Sequence, residues 1–188
     1  MHTAGMVRKA AVATLIVVAA ACSGTSDELA AAQERVSQRL LSVDDLGDGW
    51  TTTDAPQPLA TKASLDPPCP IETGRIDFTV DAIATVEIGN EAERVGFNHT
   101  VAELSGDPAA PALVRDAWTT MDCEGADFDV TGFGGLPNGV VGVQFTARSG
   151  PLVQVALIRA DGDQVRYLII SGEGEAPIDL ARDLATEF

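Results

Sequence analysis

Residues 140–171 read VVGVQFTARSGPLVQVALIRADGDQVRYLIIS, three apolar runs separated by two short polar turns. Val140 to Ala147, Leu152 to Arg159 and Val165 to Ser171 are predicted as consecutive strands. The connections Ser149-Gly150 and Asp161-Gly162 have the composition of hairpin turns. Val141, Val143 and Phe145 alternate with Gly142, Gln144 and Thr146, as in an antiparallel strand with one face on a core. Val165 to Ile170 is apolar on both faces apart from Arg166, which predicts a central or helix-covered strand. A meander of this kind flanked by helical segments defines an α+β domain. The expected fold is an antiparallel β-sheet of about five strands with helices packed on one face, an N-terminal helical arm and one disulfide.

Towards the C-terminus, Pro177 opens a helix that places Leu180, Leu184 and Phe188 four apart on one face. Towards the N-terminus, the glycine-rich segment Gly132 to Gly139 reads as a loop, preceded by a short strand, Phe128 to Val130. Asp107-Pro108 or Pro111 opens a second helix. It carries Leu113, Val114, Ala117, Trp118 and Met121 on one broad face and ends near Cys123. Phe97 to Leu104 reads as a weaker strand, broken by Asn98-His99. Ile76 to Phe78 with Val80, then Ala84 to Ile88, give one or two more. Residues 51–68, rich in proline and threonine, read as extended and irregular. A very short helix is expected over Val43 to Leu46, and a longer one over Asp27 to Leu41 with Ser26 as N-cap. No internal repeat is visible, and no domain boundary is expected after residue 42.

The first residues carry an address. Arg8 and Lys9 precede the apolar run Ala10 to Ala21, and Ala19-Ala20-Ala21 leads into Cys22. That order reads as a secretory signal peptide over residues 1–21. The run is too short for the roughly 20 apolar residues of a membrane span. A Cys directly after small residues resembles the lipobox of bacterial lipoproteins, in which the Cys is lipidated. The usual Leu three positions earlier is Ala19 here. The expected order is therefore a signal peptide to residue 21, then lipidated Cys22, spacer and helix over 22–41, then the domain over 42–188. The expected location is the extracytoplasmic face of the cell membrane, held by a lipid anchor at Cys22. Stable attachment needs more than one acyl chain.

Composition excludes some partners. The chain carries 28 acidic and 12 basic residues, a net charge of −16. Arg8 and Lys9 are the only charged residues before Cys22, so removing them leaves ten basic residues and a net charge of −18. Phosphate backbones would repel such a surface, and no nucleic acid partner is expected. With Cys22 assigned to lipid, Cys69 and Cys123 remain, an even pair in an oxidising compartment, and a disulfide between them is predicted. Closing that loop stabilises by about 4 kcal/mol on a chain-entropy argument.

Catalytic constellations are thin. Beyond the signal segment the only histidine is His99, so a Ser-His-Asp or Cys-His arrangement would have to use it. No G-x-S-x-G surrounds a serine. His99 is expected at the surface or a sheet edge rather than as a metal ligand. Gly132 to Gly139 lacks the Lys-Ser/Thr ending of a phosphate-cradling P-loop. Asp161-Gly162-Asp163 falls short of a calcium ligand set. No catalytic residue, metal or cofactor is expected. Trp50 and Phe133 lie in segments of little regular structure and are the candidates for lining a cleft.

The run Leu40 to Trp50, LLSVDDLGDGW, resembles the opening of many actinobacterial envelope lipoproteins. A C-P dipeptide follows in that group, matched here by Cys69-Pro70. Then come a strand pair, a helix ending in a second Cys, a three-strand meander and a C-terminal helix. Residues 38–188 are thereby similar to the PknH-like extracellular sensor domain family. That family is described with two disulfides, whereas one is possible here after lipidation, and Gly47 replaces a common Pro. The resemblance implies a sensor-like, non-enzymatic module binding a small molecule, a lipid or an envelope protein. A lipid or glycolipid carrier with an apolar cavity, or an accessory subunit of an envelope transport complex, are the alternatives.

Overall fold

The computed structural model describes residues 23–58, 65, 78–121, 123 and 126–188, with backbone alone at 23–26 and 55–58. It contains helices α1 (Ser23–Ser37), α2 (Ala110–Thr120) and α3 (Ala176–Leu184). The strands are β1 (Thr51–Pro58), β2 (Phe78–Asn90), β3 (Val95–Gly106), β4 (Phe128–Gly132), β5 (Val140–Ala147), β6 (Leu152–Asp161) and β7 (Gln164–Glu173). They form one antiparallel sheet in the order β1-β2-β3-β7-β6-β5-β4. The predicted meander is present as β5, β6 and β7. Asp161 pairs with Gln164 across a two-residue turn, where Gly162 takes φ 62° at no steric cost.

The sheet is covered on both faces, which corrects the expectation of one covered face. Val165, Tyr167, Ala156, Ile158, Val143 and Phe145 pack with Val114 and Trp118 of α2. The alternate residues Val155, Leu157, Leu168 and Ile170 pack with Ala181 and Leu184 of α3 and with Phe188. The cause lies in β6 and β7, which are apolar at both odd and even positions, so each side must be removed from water. α1 shares the α3 face and lies over the other end of the sheet, with Ala32 and Val36 against Ala82, Ala84 and Val101.

The strand count is seven rather than five. Residues 78–90 form a single long strand, because a register shift between Val80 and Ala82 absorbs its irregularity. β3, expected to be weak, is central, paired to β2 on one side and β7 on the other. Part of the segment expected to be irregular pairs as β1, an edge strand with two register shifts, where proline is tolerated.

Helix details also differ. α1 runs over Ser23–Ser37, so the residues read as a spacer are helical, and it ends short of Leu41. Leu29 is exposed, and so is Leu113 of α2. The rest of the face expected on α2 holds, with Val114, Ala117 and Trp118 buried, Met121 packed against the core, and Ala110 and Pro111 buried beside them. The short helix is one 3-10 turn, Val43–Asp45, in which the Asp45 carboxylate accepts from the Ser42 N–H and hydroxyl, each at 3.0 Å. No described helix is long and apolar enough to cross a membrane.

Candidate functional site

Strand register lays the side chains of the α1/α3 face in rows across the sheet. One row sets Val86, His99, Leu168 and Leu157 side by side. The next sets Ala84, Val101, Arg166 and Arg159, and the last Ala82, Glu103, Gln164 and Asp161. α1 covers the alanine end of the last two rows. α3 covers the leucine end of the first. Arg159, Arg166 and Gln164 therefore form the floor of a polar strip, with α1 on one side and Phe188 on the other.

Side chains from α1 and the turn after it reach into this strip. Arg35 makes a two-pronged ion pair with Glu103, at 2.5 and 3.2 Å. Arg39 donates to the Gln164 side-chain oxygen. From the far side, Arg159 donates to the main-chain oxygen of Phe188 at 2.8 Å. Arg166 is the least satisfied: its nearest ion-pair partner is Asp161 at 3.9 Å, and its buried Nε has no hydrogen-bond partner among the described residues. Its pKa is lowered, first by burial and then by the positive charges of Arg39 and Arg159, with Asp161 opposing.

His99 lies one row away and is 2% exposed, on a central strand. That corrects its expected place at the surface or a sheet edge. β3 buries it because the main chain supplies a partner: the Leu41 N–H donates to Nδ1 at 2.9 Å. The ring meets Phe188 edge-on at 5.8 Å. With Nδ1 an acceptor, Nε2 carries the proton of the neutral ring, and it has no partner among the described residues. Burial, and then the charge of Arg166, push the pKa down to about 3.

The residues proposed to line a cleft lie on this same face but away from the strip. Trp50 is half-buried against Phe97, with ring centroids 5.8 Å apart. Phe133 is buried under the glycine-rich loop, with the Arg182 guanidinium 5.8 Å from its ring centroid. Its amide donates to the Gly142 carbonyl at 2.9 Å, folding the loop back onto β5. A cavity of about 630 Å³ is lined by Gly49, Thr51, Asn90, Glu91 and Ala92, and one of about 240 Å³ lies between Phe128, Phe145, Leu152 and Gln154. Neither of the two rings lines these.

Cys22 and Cys69 lie outside the described residues, and the expected Cys69–Cys123 pairing with them. Cys123 is half-buried three residues beyond the end of α2. Among the described residues, no group of three or more His, Cys, Asp or Glu side chains is placed to hold a metal ion. Glu173, the last residue of β7, makes an exposed ion pair with Arg94 at 2.7 Å.

The arginine group escapes a reading of single motifs, because its members come from three separate segments. Part of the signal was present in the 161–164 turn. A two-residue hairpin that pairs Asp161 with Gln164 also sets Arg159 opposite Arg166 on one face.

No protein-family model matches the chain, and no curated protein is significantly similar to it. Among solved structures, the fold is similar to the crystal structure of the extracellular domain of PknH from Mycobacterium tuberculosis. The TM-score is 0.55 at 12% sequence identity, over 83% of this chain and 95% of that one. At that identity the likeness is one of fold.

Proposed function

We propose that this chain is a non-enzymatic lipoprotein module on the extracytoplasmic face of a cell membrane, anchored through Cys22 and built to bind a ligand in the manner of a sensor domain. The observation that carries this reading is the fold likeness, which spans nearly the whole PknH extracellular domain. It joins an N-terminal segment whose order of basic residues, short apolar run and Cys is that of a lipoprotein signal. An oxidising location also favours the Cys69–Cys123 disulfide.

The site supports binding rather than catalysis. His99 is buried, neutral and engaged through Nδ1, a poor base for activating a nucleophile. The strip beside it is built mainly from guanidinium donors, which hold a ligand but supply no nucleophile. A carrier reading is less favoured, because Val155, Leu157, Leu168 and Ile170, the aliphatic wall an acyl chain would need, are already buried against α3.

Fractionation of the native envelope with mass spectrometry of the N-terminal peptide tests the anchor. The chain should sit in the membrane fraction with Cys22 acylated, and Cys22→Ala should release it. An unmodified Cys22, or residues 1–21 retained on the mature chain, would overturn the reading.

A further inference from the structure

We propose that Arg39, Arg159 and Arg166 form a binding site for a phosphate group, carried by a small phosphate ester or by an anionic lipid headgroup. The proposal deepens the ligand-binding reading above and rests on it.

The geometry begins with two like charges placed opposite each other. Arg159 and Arg166 are directly paired across β6 and β7 and share the α1/α3 face. Like charges directly opposite on neighbouring strands destabilise a sheet. Here the compensation is uneven, falling on Arg159 more than on Arg166. Arg159 donates at 2.8 Å to an oxygen of Phe188, the last residue of the sequence, whose terminal carboxylate is an anionic partner. Arg166 has one carboxylate at 3.9 Å and a buried Nε with no partner among the described residues. Arg39 brings a third guanidinium from the turn after α1 and is met by the neutral amide oxygen of Gln164. The carboxylate nearest α1, Glu103, is already held by Arg35 from two sides.

Three guanidinium groups around a strip bounded by α1 and Phe188 match the several oxygens of a phosphate. Each can donate in the paired geometry that guanidinium favours with oxyanions. The lowered pKa of Arg166, owed to burial and then to Arg39 and Arg159, describes the same crowding of positive charge. The cluster stands out because the chain as a whole carries −16. A phosphate here would relieve a local repulsion that the rest of the surface does not share.

The test is an NMR titration of the full chain in non-ionic detergent, reading the arginine Nε–H signals at constant ionic strength. Inorganic phosphate is the first probe, with chloride as control. The Arg166 Nε–H signal should shift and saturate with phosphate and not with chloride. Arg39→Gln and Arg166→Gln should each weaken binding about tenfold or more, as expected for losing one charge-assisted contact. Arg94→Gln, which removes an exposed pair with Glu173, should leave it unchanged. Arg39 is exposed, so its variant keeps the test sound if Arg166→Gln fails to fold. A response no different from chloride, or equal binding by the Arg39 variant, would overturn the site. Glycerol phosphate and monomeric short-chain phosphatidylglycerol then distinguish the two sources by which binds more tightly. An acylated, membrane-bound chain that ignores phosphate would lose this site and keep the anchored-module reading. An unacylated chain that binds phosphate would do the reverse.

Discussion

Lowering the pH from 7 to 5 should destabilise the fold by about 2 kcal/mol through one side chain, His99. The unfolded chain binds a proton there with the ordinary histidine pKa of 6.5, whereas the folded chain holds it near 3. The unfolded state therefore takes up the proton first. Stability is full above about pH 7, falls as the pH drops through 6.5, and goes on falling towards 3. Each pH unit in that window costs about 1.4 kcal/mol, and the interval from 6.5 to 5 gives the figure stated. Burial is the leading cause, with the charge of Arg166 second. Urea denaturation at pH 7, 6 and 5 measures the slope. His99→Asn, whose side-chain oxygen can still accept from the Leu41 N–H, should flatten it. A wild-type curve that does not change between pH 7 and 5, or a variant with the same slope, would refute the reasoning.

Three further outcomes follow from packing. Gly142→Ala would set a Cβ 2.5 Å from Leu136 Cδ1 and 2.8 Å from the Phe133 carbonyl oxygen, and should cost about 1–3 kcal/mol in denaturant midpoint by lifting the glycine-rich loop. A cost near zero would show that the loop gives way freely. Trp118→Ala empties the centre of the α2 face, where the ring packs on Tyr167 at 5.4 Å, and should cost about 3–5 kcal/mol by the same measurement. Reduction should lower stability by up to about 4 kcal/mol if Cys69 and Cys123 are bonded, and non-reducing peptide mapping should find them joined; a free thiol at either position would refute the bond.

Much of the fold is legible in the sequence where local pattern and burial agree. The meander is the best case, since its turns and alternation specify the same three strands. α3 is similar, with Leu184 and Phe188 buried as their spacing implies. The misreadings share a cause, which is that partners distant in sequence decide the outcome. Asn98, His99 and Thr100 look like a break in β3. They are accommodated because Thr85 bonds Asn98 and Thr100 from the neighbouring strand, and Leu41 bonds His99. The threonines and prolines of β1 give no period, yet the exposed edge of β2 pairs with them. For the candidate site, the hairpin register alone would have paired Arg159 with Arg166. Arg39 joins them only once α1 has docked, which no local pattern reports.

The docking of α1 on the sheet has a mechanical consequence. The C-terminal half of the helix is fixed to the sheet by Ala32, Val36 and the Arg35–Glu103 pair, so helix and domain move as one body. Fifteen helical residues span about 22 Å. Under the anchoring proposed above, α1 would act as a stiff arm on the membrane side of the domain. The arginines just past its far end would then keep a nearly fixed distance from the first helical turn.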